Sequence, residues 1–371
     1  MIKIKTEILR DALNKAVVVC SFKDMLPLTS VIEIKVENNT LSVLSTDSVT
    51  TLVTNTKLDN EVEDMRVVVD AKIISSLVNK ITTEFIELSS NGKSLTITGN
   101  GVYELELRVD ESGEIISFPT LEYDVNKATE ELNYKELATK LSIVKDTIPD
   151  NFDEPELRYY YLKDNVIAAA PSKITAVKNN KELEDKELYL RPEYVEILAG
   201  LGYVKAKYYS NENELVIVND NFVLVTKYSG DDKDNLTKYL SGAFVGIKQL
   251  LGSSLKYKAK VNRAAILGLL ERLSLFVTEY DEFAVFIKFM PDKLVVTSSR
   301  NNGKEEFGLK DAEVDGLVEY TEKFNLTDLK KQLEVLVNEE IEIQFDQESG
   351  IVKFIDGEIH QIVGSIEDSE E

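Results

Sequence analysis

The sequence predicts an α+β protein built from three repeated helix-on-sheet domains. Apolar residues recur at helical spacing in stretches beginning near residues 6, 70, 133, 191, 262 and 325. Each stretch is followed by β-branched runs that alternate at strand period. The helices recur at intervals too long for a solenoid, whose repeat is ~20–50 residues. Two helix-and-strand modules make one domain of ordinary size, so the chain divides into residues 1–122, 123–250 and 251–371.

Met65 to Leu107 shows the module most clearly. Arg66–Val69 is a short strand, and Asp70 is placed to cap a helix by accepting from the unpaired N–H groups of its first turn. Ile73, Ile74, Leu77, Val78 and Ile81 form that helix's apolar stripe, with Lys72, Ser75, Ser76 and Asn79 opposite and no carboxylate among them. Phe85–Ser89 alternates, Asn91-Gly92 signals a hairpin, and Leu95, Ile97, Tyr103, Leu105 and Leu107 continue the sheet.

Before this stretch, a strand at Ile2–Ile4 leads into a helix carrying Ile8, Leu9, Leu13, Ala16 and Val17, and strands follow at Val31–Val36, Leu41–Ser45 and Thr50–Thr54. The second cycle opens with a helix carrying Leu137, Leu141, Val144 and Ile148, and its next helix starts at Arg191-Pro192, where proline's missing N–H costs nothing. The third cycle has helices after Val261 and after Phe324. Leu121–Lys127 and Ser241–Ser254 read as linkers, with a short extra helix in Phe244–Gly252. Residues 367–371 form an acidic tail that cannot pack.

A formal net charge of −23 argues against a tight nucleic-acid binder, since phosphate neutralisation needs surplus Lys and Arg. No apolar run approaches the ~18–20 residues that span a bilayer, and the first residues show no signal-peptide pattern. The single Cys20 forms no internal disulfide and reads as a buried, reduced thiol, so cytoplasmic residence is expected.

The helix followed by Leu26-Pro27-Leu28 and Leu41–Ser48, the run Val67–Ile81 with Phe118-Pro119 downstream, and Leu157-Arg158-Tyr159-Tyr160 together resemble the β subunit of bacterial DNA polymerase III, the sliding clamp. The resemblance spans essentially the whole chain. It implies the DNA clamp fold, with antiparallel sheets outside and helices inside, in a ring-shaped homodimer that encircles duplex DNA. It implies a non-enzymatic processivity factor that tethers DNA polymerase and meets its clamp loader through short peptides. No cofactor and no membrane partner are implied.

Cations on the lining helices would be Arg10, Lys15, Lys72, Lys80, Lys135, Lys140, Lys145, Arg191, Arg263, Arg272, Lys330 and Lys331, although each reads equally as part of a solvated helix face. Glu193 and Glu196 interrupt the helix at 191. Matched to the family's partner-peptide pocket are Tyr161, Ala170, Ser172, Lys173, Ile174, Thr175, Lys238, Tyr239, Ile362, Gly364 and Ile366. The runs Ala170–Ala176, Lys233–Leu240 and Gly364–Ile366 depart from the family pattern, which implies an altered peptide preference and a clamp serving an unusual, phage- or plasmid-type polymerase. Matched to the dimer seam, Tyr103 and Leu105 would face Phe276 and Val277 of the second copy; the same four also read as ordinary core residues.

Catalytic chemistry is not apparent. There is no phosphate-binding glycine motif and no HExxH. One cysteine and one histidine, His360, give no credible dyad. Asp231, Asp232 and Asp234 would hold a cation only weakly, and no metal site is expected. The competing reading is a β-rich three-domain binding or structural protein, or a hydrolase, unrelated to replication.

Overall fold

The computed structural model describes residues 1–22, 26–59, 62–118, 123–148, 159–184, 187–191, 197–198, 200–202, 205–210, 214–227 and 233–366, apart from the side chains of residues 125, 233–241 and 243. Its first strands are β1 (Ile2–Lys5), β2 (Val31–Glu37), β3 (Thr40–Thr46), β4 (Thr50–Lys57), β5 (Met65–Asp70), β6 (Phe85–Ser90), β7 (Ser94–Thr98) and β8 (Val102–Glu106). Next come β9 (Glu130–Asn133), β10 (Tyr160–Leu162), β11 (Asn165–Ala170), β12 (Lys173–Lys178), β13 (Leu188–Leu190), β14 (Lys205–Ser210), β15 (Glu214–Asn219) and β16 (Phe222–Lys227). The last are β17 (Tyr257–Asn262), β18 (Ala284–Phe289), β19 (Lys293–Ser298), β20 (Lys304–Gly308), β21 (Lys310–Glu313), β22 (Tyr320–Asn325), β23 (Glu340–Asp346), β24 (Ile351–Asp356) and β25 (Ile359–Gly364). The helices bounded within the described residues are α1 (Thr6–Val17), α2 (Ala71–Lys80), α3 (Tyr134–Val144), α4 (Lys233–Gly252), α5 (Arg263–Leu273) and α6 (Leu326–Glu334), and residues 197–198 and 200–201 are also helical.

The chain packs as two compact units: Met1–Glu136 with Glu193–Lys233, and Leu137–Pro192 with Asp234–Glu371. The first holds a four-stranded sheet, β1-β6-β7-β8, and an eight-stranded one, β5-β2-β3-β4-β16-β15-β14-β9. Leu9 and Leu13 of α1, Ile74 and Val78 of α2, and alternate residues of both sheets close one apolar core. Each fully buried Leu or Ile there contributes roughly 1.5–3 kcal/mol.

Helices α2, α3, α5 and α6 start where strands end, and polar caps set the start. Asp70 accepts from Ile73 N at 2.9 Å, Asn262 from Ala265 N at 2.9 Å, and Asn325 from Asp328 N at 3.0 Å. Asn133 does the same for α3, accepting from Glu136 N at 3.2 Å. The buried stripe of α2 is Ala71, Ile74, Ser75 and Val78. The expected stripe is therefore turned by about one position: Ser75 faces the core, and Ile73, one residue out of phase, is half exposed. At Asn91-Gly92 only Gly92 takes positive φ, so the loop is not the two-residue primed turn, which needs two such residues. Instead Asn91 Oδ1 accepts from Lys93 N and Ser94 N at 2.9 and 2.8 Å. Cys20 is partly buried against this core; burial, with the fields of Asp70 and Asp47, pushes its thiol up to about 12 and makes it slow to react.

The second unit holds the nine-stranded sheet β13-β10-β11-β12-β25-β24-β23-β17-β21 and the four-stranded sheet β20-β19-β18-β22. Helix α4 is the largest departure from expectation. The stretch 241–254, read as a linker with a short helix at 244–252, holds the C-terminal part of one helix of 20 residues, Lys233–Gly252, and Phe244 and Leu251 join the sheet's apolar face. Its glycines at 242, 246 and 252 obscure the apolar period in the sequence.

Candidate functional site

Hairpin β11–β12 and strand β25 bring most of the residues matched to the peptide pocket onto one sheet. Tyr161 pairs with Ile167, Ala170 with Lys173, and Ile174 with both Ala169 and Ile362. Because strand neighbours share a face, Tyr161, Ile174 and Ile362 form one apolar surface, all of it buried. Lys238 and Tyr239 lie in the backbone of α4, and their side chains fall outside the described residues.

The hairpin tip is tied to α6. Ser172 Oγ donates to Asp328 Oδ2 at 2.7 Å, and Lys173 Nζ donates to Asp328 Oδ1 at 2.8 Å. Thr175 points to the opposite face, where its hydroxyl contacts Thr147 Oγ1 and lies 2.8 Å from the side-chain oxygens of Gln332 and Gln361. Gly364 N donates to Ser172 O at 2.8 Å, and Ile366 N to Lys323 O at 2.7 Å. The end of β25 is thereby held against the hairpin and the residues after it against β22, with Gly364 and Ile366 half-buried.

Helix α4 covers the apolar surface. Phe244 is fully buried and stacks on Tyr161 at 5.1 Å between ring centroids; Tyr189 meets Tyr161 edge-on at 5.5 Å. Burial, with Glu187 accepting the hydroxyl proton at 2.8 Å, pushes the Tyr189 phenol far up, so it stays neutral. Lys248 Nζ donates to the Tyr161 hydroxyl at 3.0 Å. Beside this contact is a cavity of about 300 Å³ lined by Tyr161, Asp164, Lys248, Leu251 and His360 among others. Burial, helped by the Lys353 ammonium and opposed by Glu342, holds His360 below the usual imidazole range.

The cations fall into distinct classes. Arg10 Nη2 donates to the carbonyl oxygens of Ile81 at 2.7 Å and Val78 at 3.5 Å, which end α2. Arg263 does the same at the end of α6, with Nε 3.0 Å from Leu333 O and Nη2 3.0 Å from Glu334 O. Arg272 forms a two-point pair with Glu305. Lys15 pairs with Asp11 at 2.6 Å and Lys330 with Glu334 at 3.7 Å, each one helical turn apart. Lys135 and Lys140 lie on α3, the first exposed and the second half-buried. Arg191 follows β13 half-buried; Glu193 and Glu196, in the stretch read as its helix, lie outside the described residues. Lys72, Lys80, Lys145 and Lys331 are exposed, Lys145 in a 3-10 turn after α3. Asp231 and Asp232 also lie outside the described residues, while Asp234 is in the first turn of α4. Among the described residues no cluster of acidic, His or Cys side chains could hold a metal ion, and no helix is long and apolar enough to cross a membrane.

Of the residues matched to the seam, Tyr103 is 37% exposed on the free edge strand β8, and Leu105 packs against the first unit's core. Phe276 is 41% exposed and Val277 is buried. Leu275 and Tyr280, more exposed still at 81% and 97%, are not among the matched residues; their nearness to Phe276 in the chain is the signal the sequence offers.

Helices capped at strand ends and antiparallel sheets joined edge to edge define the sliding-clamp fold. The DNA polymerase III subunit beta of Pseudomonas aeruginosa superposes with a TM-score of 0.82 at 12% identity, covering 99% of both chains. The subunit of Thermotoga maritima gives 0.80 at 17%, and the Helicobacter pylori β clamp bound to a DNA ligase peptide 0.77 at 15%, again over 99% of both chains. No curated protein matches the sequence. Residues 1–121 match the family model for the DNA polymerase III beta subunit, N-terminal domain, and the likeness to the clamp fold continues through the rest of the chain.

Proposed function

We propose that the chain is a DNA sliding clamp: two copies close head to tail into a ring around duplex DNA and tether a DNA polymerase without catalysing a reaction. It works in the cytoplasm and meets polymerase and clamp loader through peptides docked at the Tyr161, Ile174 and Ile362 surface. Its three domains are residues 1–122, 123–250 and 251–371. The exposed lysines 72, 80, 145 and 331 face the DNA.

Sheet topology carries this reading. Each domain contributes two four-stranded groups, in the orders β5-β2-β3-β4 and β1-β6-β7-β8, then β13-β10-β11-β12 and β9-β14-β15-β16, then β22-β18-β19-β20 and β17-β23-β24-β25. The last strand of one domain's first group pairs with the last strand of the next domain's second group: β4 with β16, and β12 with β25. Two strands of the same rank are left, β8 and β20, and each ends its sheet. The rule that made the first two junctions makes a third only between copies. A head-to-tail contact that closes gives a ring, and pairing β8 with β20 covers these two open edges.

Solution mass tests the proposal. The parent chain should weigh about twice 41.8 kDa at micromolar concentration. Tyr103→Glu, on the exposed part of β8, should yield monomer with an unchanged circular dichroism spectrum. A monomeric parent chain would refute the ring.

A further inference from the structure

We infer that helix α4 is a built-in occupant of the partner-peptide surface, filling it in the free chain and opening from its N-terminal side before a partner can dock. The inference rests on the clamp reading for the identity of the partner site, and on the second unit's geometry for everything else.

Three observations converge. The residues matched to the pocket are not open: Tyr161, Ile174 and Ile362 are buried in one cluster with Phe244 and Leu251 of α4. Phe244 is fully buried, its ring stacked on Tyr161 with 21° between the planes, so a large apolar side chain already occupies the surface. A partner side chain that takes the stacking place on the Tyr161 ring must displace it.

The C-terminal end of the helix is anchored. There, buried Lys353 donates from Nζ to Leu251 O at 2.5 Å and Ser253 O at 3.1 Å, satisfying carbonyls that the helix leaves unpaired. Lys248 adds its bond to Tyr161. Upstream, Gly242 and Gly246 sit inside the helix, and among the described residues no atom beyond their chain neighbours and the helix's own backbone lies within 4 Å of where a Cβ would be. No close packing there requires glycine, and each weakens the helix relative to alanine. A segment fixed at one end and weakened at the other opens locally, below the cost of global unfolding.

The test places a reporter under the helix. Ile174→Cys is made in the full chain, with Cys20 kept as an internal reference in the first unit, and both thiols are labelled and resolved by peptide mass. Gly242→Ala with Gly246→Ala should slow labelling at 174 roughly tenfold, and Phe244→Ala should speed it roughly a hundredfold. Cys20 should keep its rate in both. A fluorescent peptide of residues 242–252 should bind the Phe244→Ala chain in trans more tightly than the parent.

A rate at 174 that ignores the glycine changes overturns the inference, whether or not the chain is dimeric. So does a peptide that binds parent and variant alike. If Phe244→Ala compromises the second unit, hydrogen exchange across all of its strands speeds up as well, and the glycine pair, which adds helix propensity, decides alone. A monomeric mass would remove the clamp reading without touching these rates.

Discussion

Replacing Asp328 by alanine strips the hairpin tip of β11–β12 of its anchor on α6. The carboxylate receives the Lys173 ammonium at 2.8 Å and the Ser172 hydroxyl at 2.7 Å, with only 8% and 18% of the Lys173 and Asp328 side chains exposed. At that distance the direct attraction is about 6 kcal/mol for an effective dielectric constant near 20, most of it offset by the desolvation of both ions. Removing one partner is different, because the cost of burying Lys173 remains. Unpaired buried ions of this kind cost about 3–5 kcal/mol, and the partial exposure of Asp328 argues for the lower end, about 3 kcal/mol. Asp328→Asn keeps an acceptor for Ser172 and should lose about 2 kcal/mol. Lys173→Met with Asp328→Leu removes both charges and should return to within about 1 kcal/mol of the parent. Hydrogen exchange resolved to peptides of β12 and α6, alongside urea unfolding, measures each value locally in a chain of two units. If Asp328→Ala costs less than about 1 kcal/mol, or the apolar pair is as damaging as the single change, the anchor reasoning fails.

Two further outcomes are expected. Lys72→Glu with Lys80→Glu, on the exposed face of α2, should shorten retention of the loaded ring on circular DNA and flatten its salt dependence, while changing stability by less than about 0.5 kcal/mol; unchanged retention would remove these lysines from the DNA-facing set. Acidification should weaken the second unit through His360, whose pKa burial depresses. As pH falls below about 6.5 the unfolded imidazole takes a proton first, so the unfolded state binds more protons and stability is lost through the depressed value. Glu322, raised by burial, acts with the opposite sign and is untouched by His360→Gln, which should remove the imidazole's part of the slope. The single imidazole resonance, titrating below its usual range, checks the assignment directly.

The readable features of the sequence were those set by neighbours along the chain. Helix α2, its Asp70 cap and the hairpin after β6 depend on residues within a few positions of one another. The Asn133, Asn262 and Asn325 caps occupy the same place at a strand end and were equally readable, but asparagine carried no apolar pattern to draw attention. Strand β9 has four residues, too few to show alternation. Helix α4 was hidden by its own glycines. The pocket residues could be matched individually, whereas their covering by Phe244 depends on a contact 83 residues from Tyr161 and could not. The distinction between exposed and engaged cations was likewise invisible, because Arg10 meets its acceptors 68 and 71 residues away.

That distinction bears on how the ring would move on DNA. In α1–α2 and again in α5–α6, an arginine of the first helix is committed to the carbonyl end of the second. Arginine suits that duty, since its planar fork can hold two fixed oxygens at once. What remains exposed on α2 and α6 is lysine: 72, 80 and 331. An ammonium on a flexible stem is strongly hydrated and makes no fixed two-point contact with phosphate. Under the clamp reading, residues bound to the fold and residues that meet the backbone are therefore different residue types. Arginines at the exposed positions would grip phosphates in pairs and slow translocation; lysines allow contacts to form and break as the duplex passes. Replacing Lys72 and Lys80 by arginine should accordingly leave loading intact and lower the diffusion rate of the ring along DNA. A single-molecule rate that rises or stays the same would show that the lysines were not chosen for sliding.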